Sequence, residues 1–224
     1  MTYEELVASA FLLFLVLWRW NIRNDYPRGR LEFTKWLSVA LFGGVGALLG
    51  ARLLQILGTR NIHDPGAALW GGVLGGYLFV YIGFIYSFRG SLLVSAGRRQ
   101  KWVDASVPGL FLAHALGRMG CLVADCCFGV PDFPVIPLEI TFALICGVIL
   151  QWVWSRGVRL KRPMLSSYFY GYGLFRFWAE YFRGDPGRGE FWIFTTSQWA
   201  SLLAIVISGI FLDFGWRTRD KTAV

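Results

Sequence analysis

Charge is scarce in this chain. Only 16% of its 224 residues are Asp, Glu, Lys or Arg, against about a quarter in an ordinary soluble domain. A water-facing globular surface is hard to build from so little charge, and lipid becomes the better solvent to assume. Histidine is scarcer still, with His63 and His114 alone, and there are four cysteines, too few for a disulfide scaffold. Cys121-x4-Cys126-Cys127 lacks the spacing of a zinc ribbon, so no metal site and no cofactor is expected. A basic n-region is missing as well: the first apolar run follows Glu4 and Glu5, so no cleavable signal peptide is expected. Internal repeats, linkers and low-complexity tracts are absent, which reads as one domain over residues 1–224.

What the chain has is apolar length. Hydrophobic residues make up 55% of it, and crossing about 30 Å of hydrocarbon takes about 20 of them in a row. Seven apolar segments can be drawn, over 6–20, 36–57, 68–88, 102–122, 134–154, 164–182 and 192–212, the first short and the fourth holding polar residues. The fold class expected is therefore all-α, a polytopic membrane protein of seven transmembrane helices. Trp and Tyr cluster near the segment ends, where amphipathic rings favour the interface.

The net charge of +8 does not point to nucleic acid, because its placement is wrong for one basic patch. Arg19, Arg23, Arg28, Arg30 and Lys35 surround the first connection. Arg89, Arg98, Arg99 and Lys101 follow the third segment, Arg156, Arg159, Lys161 and Arg162 the fifth, and Arg217, Arg219 and Lys221 the seventh. That assigns sixteen of the 22 basic residues to one side, while Arg60, Arg183 and Arg188 fall on the other. By the positive-inside rule the crowded side is cytoplasmic, with the N-terminus outside and the C-terminus inside.

Three arginines remain, and all fall within apolar segments: Arg52, Arg118 and Arg176. An arginine at helix centre costs about 2.5 kcal/mol or more to insert, so each needs a partner or a task. For Arg52, near its segment end, snorkelling or a structural ion pair stands beside a functional reading. Arg118 and Arg176 read as functional from their surroundings. Gly117 and Gly120 flank Arg118 and allow close approach by a helix or a headgroup. Beyond them, Cys121 through Asp125, Cys126, Cys127 and Gly129 read as a tight polar loop outside the membrane. Tyr172, Arg176, Glu180 and Arg183 follow at helical spacings of four, four and three, one polar stripe on an aromatic helix. Guanidinium groups bind phosphate through paired hydrogen bonds. Two interior arginines therefore suit a phospholipid headgroup.

Taken together these segments resemble the prolipoprotein diacylglyceryl transferase family of bacterial inner membranes. The similarity runs from Gly50-Ala51-Arg52-Leu53 to the last helix. Gly117-Arg118-Met119-Gly120, ending at Gly129, resembles the family signature with its essential arginine. Phe133-Pro134 with Glu139 resembles its histidine-proline segment ending in glutamate. Tyr172-Gly173 through Arg176, Glu180 and Arg183 resembles the late helix that carries the second essential arginine, and Ser197, Gln198 and Ser201 fit its final helix. The resemblance implies transfer of the diacylglyceryl group of phosphatidylglycerol to a lipobox cysteine thiol of a prolipoprotein, releasing glycerol phosphate. It implies catalytic roles for Arg118, Arg176 and Glu180, and substrate binding by Arg52, Gly117, Gly120, Asp125, Gly129, Glu139, Tyr172 and Arg183. Rival readings are a paralogue with another acceptor, a non-catalytic lipid-binding or flipping protein, and a thiol-redox protein centred on Cys121, Cys126 and Cys127.

The chain departs from the family pattern at three places, which bear on the acceptor more than on the lipid donor. Its loops are short. Trp70 precedes Gly71-Gly72 where the family has a histidine, a candidate base, and the signature loop carries Cys121, Ala124, Asp125, Cys126 and Cys127 in place of asparagines and a glutamate. A disulfide from Cys121 to Cys126 or Cys127 is allowed if this loop is periplasmic, whereas adjacent cysteines pair badly. Cys146 reads as packing. His114, four residues before Arg118, reads first as a hydrogen-bonded core histidine and second as a replacement base. The topology is directly testable: a reporter fused after Val224 should read cytoplasmic, and a cysteine placed near Asp64 should be labelled from outside. A periplasmic C-terminal reporter would contradict the assigned number of spans.

Overall fold

The computed structural model describes residues 2–23, 30–59, 62, 69–88, 96–124, 129–130, 133–158, 163–184 and 190–220. Among them are seven α-helices: α1 (Tyr3–Ile22), α2 (Arg30–Thr59), α3 (Leu69–Ser87), α4 (Ala96–Val123), α5 (Val135–Ser155), α6 (Met164–Ala179) and α7 (Thr196–Asp220). A 3₁₀ turn, Glu180–Phe182, continues α6, and a two-stranded hairpin, β1 (Glu190–Phe191) with β2 (Phe194–Thr195), precedes α7. Among the described residues, five helices are long and apolar enough to cross a membrane: α1, α3, α5, and the stretches Phe33–Thr59 of α2 and Gln100–Val123 of α4. The chain is thus an all-α polytopic membrane protein. Exposed leucines such as Leu41, Leu48 and Leu57 are what a lipid-facing helix surface presents. The sixth and seventh segments are the shorter ones, α6 with 16 residues and the apolar part of α7, Thr196–Ile210.

The helices group into two compact units, one holding α1, α4 from Gln100, α5, α6 and α7 from Gln198, the other α2, α3 and the hairpin. In the second unit the α2–α3 contact runs along glycines four residues apart. A Cβ placed on Gly46 would strike the Gly75 carbonyl oxygen, one on Gly50 that of Gly71, and the reverse pairs are blocked in the same way. Small residues at this spacing let two backbones meet, which is how membrane helices gain packing without a hydrophobic drive between them.

In the first unit, polar side chains fasten α1 to α4 and α5. Asn21 Nδ2 donates to the Ala105 carbonyl at 2.9 Å, and Gln151 Nε2 donates to Asn21 Oδ1 at 2.9 Å. Trp18 Nε1 donates to the Trp102 carbonyl at 3.0 Å. Two of these bonds end on α4 carbonyls in the two turns before Pro108, a helix-interior proline. The N-terminus of α6 is met from α4: the Leu165 amide donates to Asp104 Oδ1 at 3.3 Å. α5 ends in a Schellman turn, with Gly157 at φ 65° and its amide on the Trp154 carbonyl at 3.0 Å.

Two expectations are corrected here. The run from Trp192 reads as helix, yet residues 190–195 form the hairpin and α7 begins only at Thr196. Trp192 sits at the turn with φ 63°, the sign that a two-residue hairpin requires at its first turn position. And Arg183 does not continue the helical stripe. It is extended, bridged antiparallel to Gly129.

The glycine seam makes a stability prediction. Gly50→Leu should lower the unfolding free energy in detergent by about 3 kcal/mol, because the obstacle is backbone and cannot yield. Gly72→Ala, whose Cβ would meet Ala47 and Ala51 at ordinary distances of 3.5 and 3.6 Å, should leave the melting midpoint unchanged or raised. Equal behaviour of the two variants would contradict the seam.

Candidate active site

Three helices of the first unit bring their polar residues to one carboxylate. α4 offers His114 and Arg118, one turn apart on one face; α5 offers Glu139 near its start; α6 offers Tyr172, Arg176 and, at its end, Glu180. Glu139 is almost wholly buried, at 1% exposure, and its two oxygens divide the work. Oε2 takes Arg118 Nε at 2.9 Å. Oε1 accepts from the Tyr172 hydroxyl at 2.6 Å and faces His114 Nε2 at 3.3 Å. The guanidinium of Arg176 also acts on this carboxylate electrostatically.

Arg176 pairs along its own helix, Nη2 to Glu180 Oε2 at 2.7 Å. Its other terminal nitrogen, Nη1, is buried with no hydrogen-bond partner among the described residues. A buried charged donor left in that state costs about 1–3 kcal/mol or more, returned when an acceptor arrives. Aromatic rings wall the cluster. His114 stands edge-on to Tyr172 at 4.5 Å, Tyr168 packs on Phe111 at 4.6 Å, and Phe142 stacks on Phe175 at 4.2 Å. Low polarity around them strengthens every ion pair inside.

Beside this cluster the end of the α4–α5 connection is tied to the end of α6. The Val130 amide donates to the Phe182 carbonyl at 2.8 Å, Phe133 stacks on Phe182 at 4.2 Å, and Gly129 bridges Arg183. Gly129 has no room for a side chain, since a Cβ would strike the Phe133 carbonyl oxygen.

The sequence-derived site residues divide accordingly. Arg118, Glu139, Tyr172, Arg176 and Glu180 come together, with Tyr172 donating to Glu139 rather than to the arginine on its own helix. Gly129 and Arg183 meet at the neighbouring tie. A Cβ on Gly120 would come within 3.0 Å of the Tyr3 ring of α1, whereas nothing lies within 4 Å of a Cβ at Gly117. Arg52 belongs to the other unit, where its Nη2 lies 3.5 Å from the Ile62 carbonyl oxygen. Cys121 is buried, 3.9 Å from Arg118 Nη1, while Asp125, Cys126 and Cys127 lie outside the described residues. Cys146 is unpaired and half-buried in α5, in keeping with packing. One feature escapes a linear reading, the role of Glu139 as common anchor. The spacing His114-x3-Arg118 already puts His114 on the face of Arg118, and the structure adds its contact with Glu139.

Apolar helices long enough to span a membrane, with Arg118 set against Glu139 of a facing helix and Arg176 against Glu180 one turn along, define a polytopic membrane protein with fixed charge in its interior. A family model, that of the prolipoprotein diacylglyceryl transferases, matches residues 1–213, and the chain belongs to this family. A phosphatidylglycerol–prolipoprotein diacylglyceryl transferase of Clostridium tetani is 31% identical, with 78% of each chain covered. A second such enzyme, from Clostridium perfringens, is 28% identical over 92% of this chain and 85% of its own. That of Nitrosomonas europaea is 29% identical over 98% and 87%.

The anchor can be tested by stability alone. Glu139→Ala leaves Arg118 buried without its counterion and should cost about 3–5 kcal/mol, read as a lowered unfolding midpoint in detergent. An unchanged midpoint would contradict the ion pair.

Proposed function

We propose that this chain transfers the diacylglyceryl group of phosphatidylglycerol to the cysteine thiol of a prolipoprotein, with Arg118 and Arg176 holding the phosphate. The observation that carries the reading is Nη1 of Arg176, buried and without a hydrogen-bond partner among the described residues, in a cluster that also holds Arg118. Phosphate is the leaving group of this transfer, so positive charge fixed in advance stabilises the charge that develops on it. Glu180 orients Arg176, and Glu139 orients Arg118. Tyr172 holds Glu139 in turn. Gly117, Gly120, Gly129 and Arg183, from the same unit, complete the proposed donor-binding set, and the resemblance adds Asp125.

The same reading includes a finer topology: seven spans, N-terminus periplasmic and C-terminus cytoplasmic, in the bacterial inner membrane. The sixteen-to-three division of basic residues supports that orientation.

A single-turnover assay with labelled phosphatidylglycerol and a lipobox peptide tests the reaction. Released glycerol phosphate is the expected product; bound but intact lipid would mean a carrier instead. Lysine keeps the charge and loses the planar fork. Arg118→Lys and Arg176→Lys should each lower the rate by about 30- to 1000-fold, and wild-type rates in both would exclude bidentate phosphate recognition.

A further inference from the structure

We propose that Nδ1 of His114 is the proton acceptor for the incoming thiol. The inference rests on the transfer reaction proposed above and assigns the base that reaction needs. A thiol attacks as thiolate, so a group within reach has to take its proton. In this cluster Glu139 and Glu180 are each engaged by a guanidinium, and protonating either would break that ion pair. The Tyr172 hydroxyl is committed as a donor to Glu139. Trp70, where the family resemblance would put a histidine, has an indole that donates only.

His114 has the arrangement that the task requires. A carboxylate oxygen 3.3 Å from Nε2 attracts an N–H and repels a lone pair, so the neutral ring carries its proton on Nε2. The lone pair then lies on Nδ1, which is buried and has no hydrogen-bond partner among the described residues. The ring plane is fixed by the edge-on contact with Tyr172. This is the carboxylate–imidazole unit that serves as base in hydrolase triads, where the acid holds the tautomer and the far nitrogen receives the proton. The groups facing the imidazole are Glu139 from α5, Tyr172 and Arg176 from α6, and Arg118 from its own helix.

The step balances. The thiol proton moves to Nδ1, and sulfur forms a bond to the glyceryl carbon that carries the phosphate ester. The carbon–oxygen bond breaks with its electron pair, and glycerol phosphate departs between Arg118 and Arg176. Glu139 then faces an imidazolium until the proton passes to solvent or to the departing phosphate. One carboxylate thereby serves both halves of the reaction, through Oε2 to the phosphate-binding Arg118 and through Oε1 to the base.

The discriminating variant is His114→Gln. Its amide can face Glu139 from the place of Nε2, 3.3 Å away in the wild type, but it cannot accept the proton. In the full-length protein in phosphatidylglycerol bilayers, transfer to a single-cysteine lipobox peptide at neutral pH should fall by about 100- to 10,000-fold. Retention of labelled phosphatidylglycerol should stay within about twofold. The residual rate of the variant should rise about tenfold per pH unit, as hydroxide supplies the thiolate, while the wild type stays flatter. Wild-type transfer in His114→Gln, or a parallel pH profile, would overturn the proposal and leave the transferase reading intact. A wild type that releases no glycerol phosphate would overturn both. Should the variant not fold, ¹⁵N-histidine spectra of the wild-type protein still decide, with His63→Gln assigning the signals. An Nε2–H tautomer at His114 is expected, and an Nδ1–H tautomer would overturn the proposal.

Discussion

A guanidinium placed among apolar helices has lost its water, and everything at this site follows from how Arg118 meets that constraint. Its partner is Glu139, at 2.9 Å and 1% exposure. Neither charge can be buried alone without a cost of several kcal/mol. Pairing them fixes more than charge, because a carboxylate has two oxygens and a guanidinium has an edge. With Oε2 on Arg118, Oε1 is directed to Tyr172 and His114, and three helices become registered on one functional group. The short, partly polar α6 needs such a partner, since its own length gives it little purchase on the membrane. Arg176 repeats the solution with Glu180 one turn along, and leaves Nη1 without a hydrogen-bond partner among the described residues. Cluster and ligand share a currency. The donor that the fold leaves unsatisfied is the one that the phosphate would satisfy.

The second unit shows the opposite way of packing in lipid. Where α4, α5 and α6 are joined by charge, α2 and α3 are joined by the absence of side chains at Gly46, Gly50, Gly71 and Gly75. Arg52 stands on this scaffold. Close backbone contact supplies dispersion and no polar demand, so a unit built this way can hold its shape without the ionic network on which the other unit relies. The tie between Gly129, Val130, Phe182 and Arg183 then uses a third means, β-type pairing of irregular backbone, to hold Gly129 and Val130 at the end of α6.

Much of the fold is legible in the sequence because solvent selects it. The segment read over 134–154 is α5, Val135–Ser155, and that read over 68–88 is α3, Leu69–Ser87, since an apolar run in lipid has few alternatives to helix. The hairpin before α7 is not legible in that way. Trp192, Ile193 and Phe194 are as apolar as the helix they precede, and turn geometry, not hydropathy, decides their conformation. The site is half legible. Arg118, Arg176 and Glu180 announce themselves as charges inside apolar segments, and the Tyr172–Arg176–Glu180 spacing puts them on one face. Glu139 belongs with Arg118 for a reason that spacing cannot carry, because the two meet across different helices. Arg183 falls off the stripe because the helix tightens at Glu180 and ends at Phe182.

The central claim is that Glu139 and Arg118 act as one unit, the carboxylate holding the guanidinium that receives the phosphate. A double-mutant cycle on single-turnover transfer, with Arg118→Lys, Glu139→Gln and the pair, measures it most directly. The account predicts that Arg118→Lys costs far less once Glu139 is gone, with a coupling energy of about 1–3 kcal/mol. Effects that add to within about 0.5 kcal/mol would contradict it.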